Sequence, residues 1–380
     1  HVLSISGLHM ALVAATIIGA LRLLFACFQG FAARYPVRKY AAAAALVALA
    51  IYLFISGNEV AARRSFIMIA IMLVALLFDR AALTMRNLAI SAIIVLVISP
   101  HEVVGPSFQM SFAATAALIG AYGGWSQRGA RPIGAAPGSR HLVVRGGRLV
   151  LLYVAGLAAT SVLAGVATSV FGAHHFQRVS PLSLFANLAA MPIVSVLVMP
   201  FAVLGLVLMP IGLDGIAFAV MGEGLRLMNL VADWFSRLSP VDAVGLIAPG
   251  AVICLTLALV FATLLTTWLR LIAVAFTLAG IVFLAFPPRP EIFISDDARL
   301  VAFHTSAGDT AVNRSRPNAF TLNGWKYAFV SENVIKPLSG DDEITRGGKK
   351  ASSPTADGAA EERFRCTPTD CTAVTRLGTI

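Results

Sequence analysis

Long apolar runs alternate with short basic loops along most of the chain, and the alternation stops near Phe286. The runs read as Leu8–Phe28, Tyr40–Ser56, Ser65–Phe78, Asn87–Ser99, Phe108–Tyr122, Val150–Gly172, Leu182–Met209, Val244–Trp268 and Leu269–Phe286. A helix needs about 20 apolar residues to cross the hydrocarbon core of a bilayer. Ser65–Phe78, Asn87–Ser99 and Phe108–Tyr122 fall short of that, which predicts tilted or half-crossing segments buried by their neighbours. Gly212–Ser239 differs in kind. Its Leu225, Met228, Leu230, Val231, Trp234, Phe235 and Leu238 alternate at helical spacing with Glu223, Arg226, Asn229, Asp233 and Arg237. That pattern suits an amphipathic helix lying along the membrane surface or against the bundle.

Beyond Phe286 the period shortens. Glu291–Ser295, Leu300–Thr305 and Ala319–Val330 read as strands, with turns at Asp296-Asp297, Ala307-Gly308-Asp309 and Asn323-Gly324. Ser331–Glu361 is rich in Gly, Ser, Asp and Lys and reads as loop or disorder. Arg363–Leu377 reads as a last hairpin with Cys366 and Cys371 flanking its turn. In an oxidising periplasm those two could pair as a disulfide, whereas a metal clip would need two more ligands and none lies nearby. The expected architecture is therefore an all-α polytopic membrane domain over residues 1–286 with about eight to ten spans. Some spans are short or re-entrant, and one amphipathic helix is interfacial. A small, β-rich and partly disordered soluble tail follows over residues 287–380.

Composition agrees: 58% of residues are hydrophobic and 13% charged, and the mean hydropathy is +0.82. Charge is divided unevenly. Residues 1–286 hold 17 basic against 7 acidic side chains, and the tail holds 12 of each, so the net charge of +10 belongs to the membrane part. There it sets orientation first, through the rule that short cytoplasmic loops are basic; it would also favour a polyanion in transit. Arg34, Arg38 and Lys39 follow the first span, Arg80 and Arg86 lie two spans on, and Arg128, Arg131, Arg140, Arg145 and Arg148 two spans further. These loops are assigned to the cytoplasm. Arg270, before the last span, joins them if Leu182–Met209 enters and returns on one side, using Asn187, Pro192 and Pro200 as breakers. The tail is then periplasmic; a single crossing there would make it cytoplasmic instead.

Four polar clusters interrupt this background. The first is His1-Val2-Leu3-Ser4-Ile5-Ser6-Gly7-Leu8-His9 at the mouth of the first span, where Ser6-Gly7 lets a neighbour approach the backbone closely. The chain opens there without a methionine and inside an apparent motif, so a longer protein is expected. The second is Asn58-Glu59 with Arg63-Arg64-Ser65. An interfacial arginine pair can simply snorkel. This pair lies on the less basic side, however, which points to a ligand or a buried partner such as Glu59. The third is Ser99-Pro100-His101-Glu102 followed by Phe108-Gln109-Met110-Ser111-Phe112, with both phenylalanines on one helical face. The fourth is His174-His175-Phe176, followed by Asn187 and Pro192 in the broken span.

Singly each cluster reads as capping, helix contact or interfacial anchoring. In this order, with Ser6-Gly7-Leu8-His9, Arg64-Ser65-x-x-Met68, Phe108-Gln109-Met110-Ser111-Phe112 and His175-Phe176…Asn187…Pro192, they resemble the competence domain of the ComEC family over about residues 1–286. The resemblance implies a bacterial inner-membrane channel that passes single-stranded DNA to the cytoplasm in natural transformation. It implies a DNA path lined by His1, Ser6, Gly7, His9, Arg63, Arg64, Phe108, Gln109, Ser111, Phe112, His175, Asn187 and Pro192. Arginines at the mouth would neutralise phosphates, and the Phe108/Phe112 face would stack bases. Implied partners are single-stranded DNA, membrane lipid, DNA-receptor and cytoplasmic DNA-processing proteins, and further copies of the chain.

Two departures from the family matter. Its members usually begin with an OB-like domain and more helices. Many end in a metallo-β-lactamase-like domain that needs a His-x-His-x-Asp-His cluster. The tail here has one histidine, His304, and its Arg363-Phe-Arg-Cys366…Cys371 end looks like the short tail of some proteobacterial relatives. Translocation is carried over and nuclease activity is not; no cofactor, metal or enzymatic role is expected. The rival readings are a secondary transporter for a small anionic solute and a membrane hydrolase with His1, His9 or His175 as metal ligands. No carboxylate accompanies those histidines. Nor does any Gly-x-x-x-x-Gly-Lys-Ser/Thr occur, so a driving force must come from partners or the electrochemical gradient.

Overall fold

The computed structural model describes residues 7–28, 34–127, 142–179, 181–238, 243–265, 267–287, 290–331, 333–339, 362–367, 371–375 and 378–379. His1 and Ser6 therefore lie outside the described residues. The chain forms two compact units, one of His1–Phe171, Ser180–Pro240 and Thr256–Ala275, the other of Gly172–Val179, Val241–Leu255 and Phe276–Ile380.

The first unit begins with α1 (Gly7–Ala26), α2 (Val37–Ile55) and α3 (Val60–Leu77). Their shared core is Met10, Val13, Ala14, Ala42, Ala45, Leu49, Ala62 and Leu73. The alanine run of α2 lets α1 approach closely where larger side chains would hold it off. Gly57 (φ 77°) and Asn58 (φ 55°) end α2 in left-handed conformations that these residue types tolerate, and α3 starts directly after. Nothing breaks the helix between Glu59 and Phe78, so α3 runs through Arg63 and Arg64 and reaches 18 residues, longer than its apolar run predicts. α4 (Met85–Ile98) stays short at 14 residues; Thr84 caps it by accepting from the Asn87 N–H at 3.2 Å. A 3₁₀ turn (Pro100–Val104) leads into α5 (Pro106–Gln127), and α6 (Leu142–Phe176) follows.

The reversal expected within Leu182–Met209 is absent. α7 (Ser183–Ile193), a π-helical turn (Val194–Val198), α8 (Met199–Leu208) and a 3₁₀ end (Met209–Ile211) form one helical segment from Ser183 to Ile211. Pro192 lies inside α7 and Pro200 in the first turn of α8. The wider π turn between them takes up the lost N–H, so the prolines distort the helix without turning it back. α9 (Asp214–Leu238) packs along this segment on its Ala217, Gly224 and Met228 face. Among the described residues seven helices have the length and composition to cross a membrane, Asp214–Leu238 included; Met85–Ile98 and Pro249–Leu264 are shorter apolar helices.

The second unit takes the end of α6, parts of α10 (Pro249–Leu264) and α11 (Ile272–Ala285), and the tail. β1 (Ile292–Ile294), β2 (Val301–His304), β3 (Thr310–Val312) and β4 (Val334–Ile335) form one sheet in that order, antiparallel except for β3–β4. Parallel neighbours need a crossover, and Ala319–Phe329 supplies it as helix α12, not as the strand its alternation predicts. Asn318 caps α12 by accepting from the Phe320 N–H. Leu322, Trp325 and Phe329, at helical spacing, cover Leu300, Ala302 and Val312, while the alternating member Phe320 is exposed. Gly324 in mid-helix costs about 1 kcal/mol against alanine, a penalty that burying this apolar stripe exceeds. On the other face Phe303 and Ala311 pack on Phe364 and Ala373. There β6 (Arg365–Cys366) and β7 (Cys371–Thr372) form a hairpin joined by a Cys366–Cys371 disulfide, and β5 (Leu338–Ser339) runs parallel to β6.

Candidate functional site

The polar clusters before α3, between α4 and α5, and at the start of α1 meet around Arg64. Arg63 is held by the turn that precedes α3: its Nε donates to Asn58 Oδ1 at 3.2 Å and its Nη2 to the Asn58 carbonyl at 3.4 Å. Arg64, one residue on, points the other way and is 5% exposed. Its Nη2 donates to Ser111 Oγ of α5 at 3.2 Å. Its Nη1 lies 3.9 Å from Glu102 Oε2, an ion pair too long to be a hydrogen bond.

The 3₁₀ turn presents Glu102, which is 12% exposed. Gly105 closes that turn by donating its N–H to the Glu102 carbonyl at 2.9 Å, and Gln109 Nε2 donates to the Val103 carbonyl at 3.0 Å. Exposed His101 flanks the carboxylate, its Nε2 3.6 Å from Glu102 Oε1. A small, half-open cleft lies beside these groups, lined by Arg63, Arg64, Ser99 and Glu102 among apolar side chains.

Arg64 Nε and Nη1 are buried and donate no hydrogen bond to any described residue. Each unsatisfied buried donor costs about 1–3 kcal/mol, and more on a charged group. Nε and Nη1 lie on different edges of the guanidinium, so no single group can take both donors, and each is closed off from solvent as it stands.

Gly7 brings α1 to the same place. A Cβ there would stand 2.9 Å from Ser65 Oγ, so only glycine allows this approach next to Arg64. The partner anticipated for the arginine pair, Glu59, is instead exposed ahead of α3. The carboxylate that reaches Arg64 is Glu102, and a reading confined to neighbours along the chain could not find it. The Phe108 and Phe112 rings pack against each other at a 32° tilt, with centroids 4.3 Å apart, and are half-buried. His9 is half-buried in α1.

Asn187 is exposed on α7 and Pro192 lies just before the π turn. His175 is half-buried at the end of α6 in the second unit, its ring 5.2 Å from that of His174. The structure thus groups Gly7, Arg63, Arg64 and Ser111 with Glu102. Among the described residues no group of three or more His, Cys, Asp or Glu could hold a metal.

The model of the family described as "Competence protein" matches residues 1–271. No curated protein and no solved structure matches the chain. The match takes in α1 to α10, the whole Arg64 cluster and most of the helices able to span a bilayer, so this multi-pass membrane chain belongs to the ComEC family of competence proteins, with a role in DNA uptake for transformation.

Proposed function

We propose that the chain is a channel that passes single-stranded DNA across the bacterial inner membrane into the cytoplasm, acting as a conduit and not as a catalyst. The observation that carries this reading is the buried Arg64 guanidinium with two unused donors beside a pocket at the end of α3. A phosphate oxygen is an acceptor that either donor could take, one bond at each. The paired rings of Phe108 and Phe112, on the helix that also supplies Ser111, offer the sequence-tolerant surface a single strand needs.

The test is uptake of end-labelled DNA by a strain deleted for the whole gene and complemented with it. The complemented strain is expected to hold labelled single strand in its cytoplasm, while the deleted strain retains label only outside the inner membrane. Equal cytoplasmic label in both strains, or restored import of a small anion with no effect on DNA, would overturn strand passage.

The same reading puts residues 123–148 in the cytoplasm and the tail in the periplasm. Arg128, Arg131, Arg140, Arg145 and Arg148 precede the apolar part of α6, which favours a cytoplasmic start for that helix. Immediately after its end, Arg178 lies over the Tyr327 ring of the tail at 4.5 Å. Gly245 approaches the tail as well, a Cβ there standing 3.2 Å from Val330. A tail tied to that junction shares its side of the membrane, and the Cys366–Cys371 disulfide suits an oxidising compartment. With Cys27 and Cys254 changed to serine, Asn323→Cys is expected to react with an impermeant maleimide in intact spheroplasts, and Ala130→Cys only after lysis. The reverse pattern would overturn the orientation.

A further inference from the structure

Two contacts fix how α9 runs against the segment 183–211. Gly205 faces Phe218, where a Cβ would stand 2.6 Å from the ring, and Gly224 faces Leu197 and Val198 at 3.0 Å. Going down in number on one helix is going up on the other, so the pair is antiparallel. Where the chain enters and leaves the pair, Val244 donates its N–H to the Gln177 carbonyl at 3.0 Å and Arg178 bridges Ala243. The chain therefore returns at Ala243 to the level it left at Arg178.

The 29-residue segment 183–211 is about 43 Å long at 1.5 Å per residue, more than the roughly 30 Å of the hydrocarbon core. If it crosses the bilayer, Gly212 lies on the far side from Ser183. The 25 residues of α9, antiparallel to it and packed along it, then carry the chain back across.

α9 is nevertheless the most charged of the long helices. Glu223 and Arg226 sit near its middle, paired by Nε–Oε2 at 2.9 Å and Nη2–Oε1 at 2.5 Å. They are 53% and 65% exposed on the face away from the packed Ala217, Gly224 and Met228. Asn229, Asp233 and Arg237 are exposed as well. A charged side chain at the bilayer centre costs at least about 2.5–3.5 kcal/mol when lipid surrounds it, and such residues normally face protein or water.

We propose that α9 is a membrane-crossing helix whose Glu223, Arg226, Asn229, Asp233 and Arg237 face lines a water-filled path, with Arg226 and Arg237 as counter-charges for phosphates moving along it. Only the phosphate contact rests on the strand-passage reading; the crossing and the wet face do not.

The experiment uses the full chain in membranes, with Cys27 and Cys254 replaced by serine and single cysteines introduced without added DNA. Asn229→Cys and Asp233→Cys are expected to react with a small impermeant methanethiosulfonate at least roughly tenfold faster than Met228→Cys on the packed face. Gly215→Cys and Ser236→Cys are expected to react from opposite sides of the membrane. Rates at 229 and 233 as slow as at 228 would overturn the wet face, and labelling of 215 and 236 from one side would overturn the crossing. Arg226→Gln, inserted at the wild-type level, is expected to lower transformation about tenfold, the effect of losing one charge-assisted contact. Wild-type transformation by that variant would overturn the phosphate contact, while failure of strand passage itself is read separately in the deletion strain.

Discussion

Arg64→Lys should lower transformation on the order of 10- to 100-fold at equal amounts of membrane-inserted protein, the factor expected for losing charge-assisted hydrogen bonds worth about 1.5–3 kcal/mol. Lysine keeps the positive charge beside Glu102 and a donor within reach of Ser111, so the packing of α3 against α5 should persist. It lacks Nε and the second terminal nitrogen, and those positions include the two buried donors that no described residue uses. An ammonium is a compact point charge with no donor at the Nε position, so a phosphate bond made there is lost. Arg22→Lys, on the exposed side of α1, is the control and should transform like the unchanged protein. Transformation frequency normalised to inserted protein is the measurement. Should Arg64→Lys match wild type, Arg64 serves only to anchor α3 through Glu102 and Ser111.

Phe303→Ala should cost the tail about 3–5 kcal/mol, the usual toll for removing a large buried aromatic side chain. Phe303 is 1% exposed and meets Phe364 edge-on with centroids 5.1 Å apart. It lies on the sheet face opposite α12, so its loss detaches the disulfide-closed hairpin rather than the crossover helix. Limited trypsin digestion of the purified full chain should therefore cut at Arg363 and Arg365 of the hairpin faster than in the unchanged protein, and well before any cut at Lys326 in α12. Phe320→Ala, removing an exposed ring, should leave the digestion unchanged. A Phe303→Ala protein as resistant as wild type would show that the hairpin is held by other contacts.

What could be read from the chain alone follows a physical divide. Membrane helices announce themselves because each must satisfy its backbone internally and present apolar side chains to lipid, so composition nearly suffices. α1, α2 and the 14-residue α4 lie close to where their apolar runs place them. Arg64 and Ser111 were legible as polar residues where polarity is costly. Glu102 stood in plain view, yet its tie to Arg64 depends on the turn that folds α4 against α5, which no local pattern encodes.

Pro192 misled for a related reason. A proline removes one hydrogen bond, but whether the chain bends or reverses is decided by what packs alongside, here α9 with Gly224 against the π turn. Reading segment 183–211 as returning and α9 as lying on the surface leaves the tail on the same side as reading both as crossings. The orientation expected downstream therefore survives the absence of that reversal. In α12 the alternation of Phe320 and Leu322 suggested a strand, and the demand of a parallel β3–β4 pair for a crossover prevailed.

The separation of Arg64 from its hydrogen-bond partner Ser111, 47 positions along the chain, has a consequence for biogenesis. At about 5–20 residues per second, a ribosome takes roughly 2 to 10 s to deliver Ser111 after Arg64 has been made. Throughout that interval α3 carries a guanidinium with neither its carboxylate nor its hydroxyl in place. Release of α3 alone into lipid would strand that charge, so the insertion machinery has reason to retain α3 until α4 and α5 arrive and to release the three together. A chain whose third helix leaves early would expose an uncompensated cation to the bilayer, a defect that membrane proteases could recognise before any DNA is encountered.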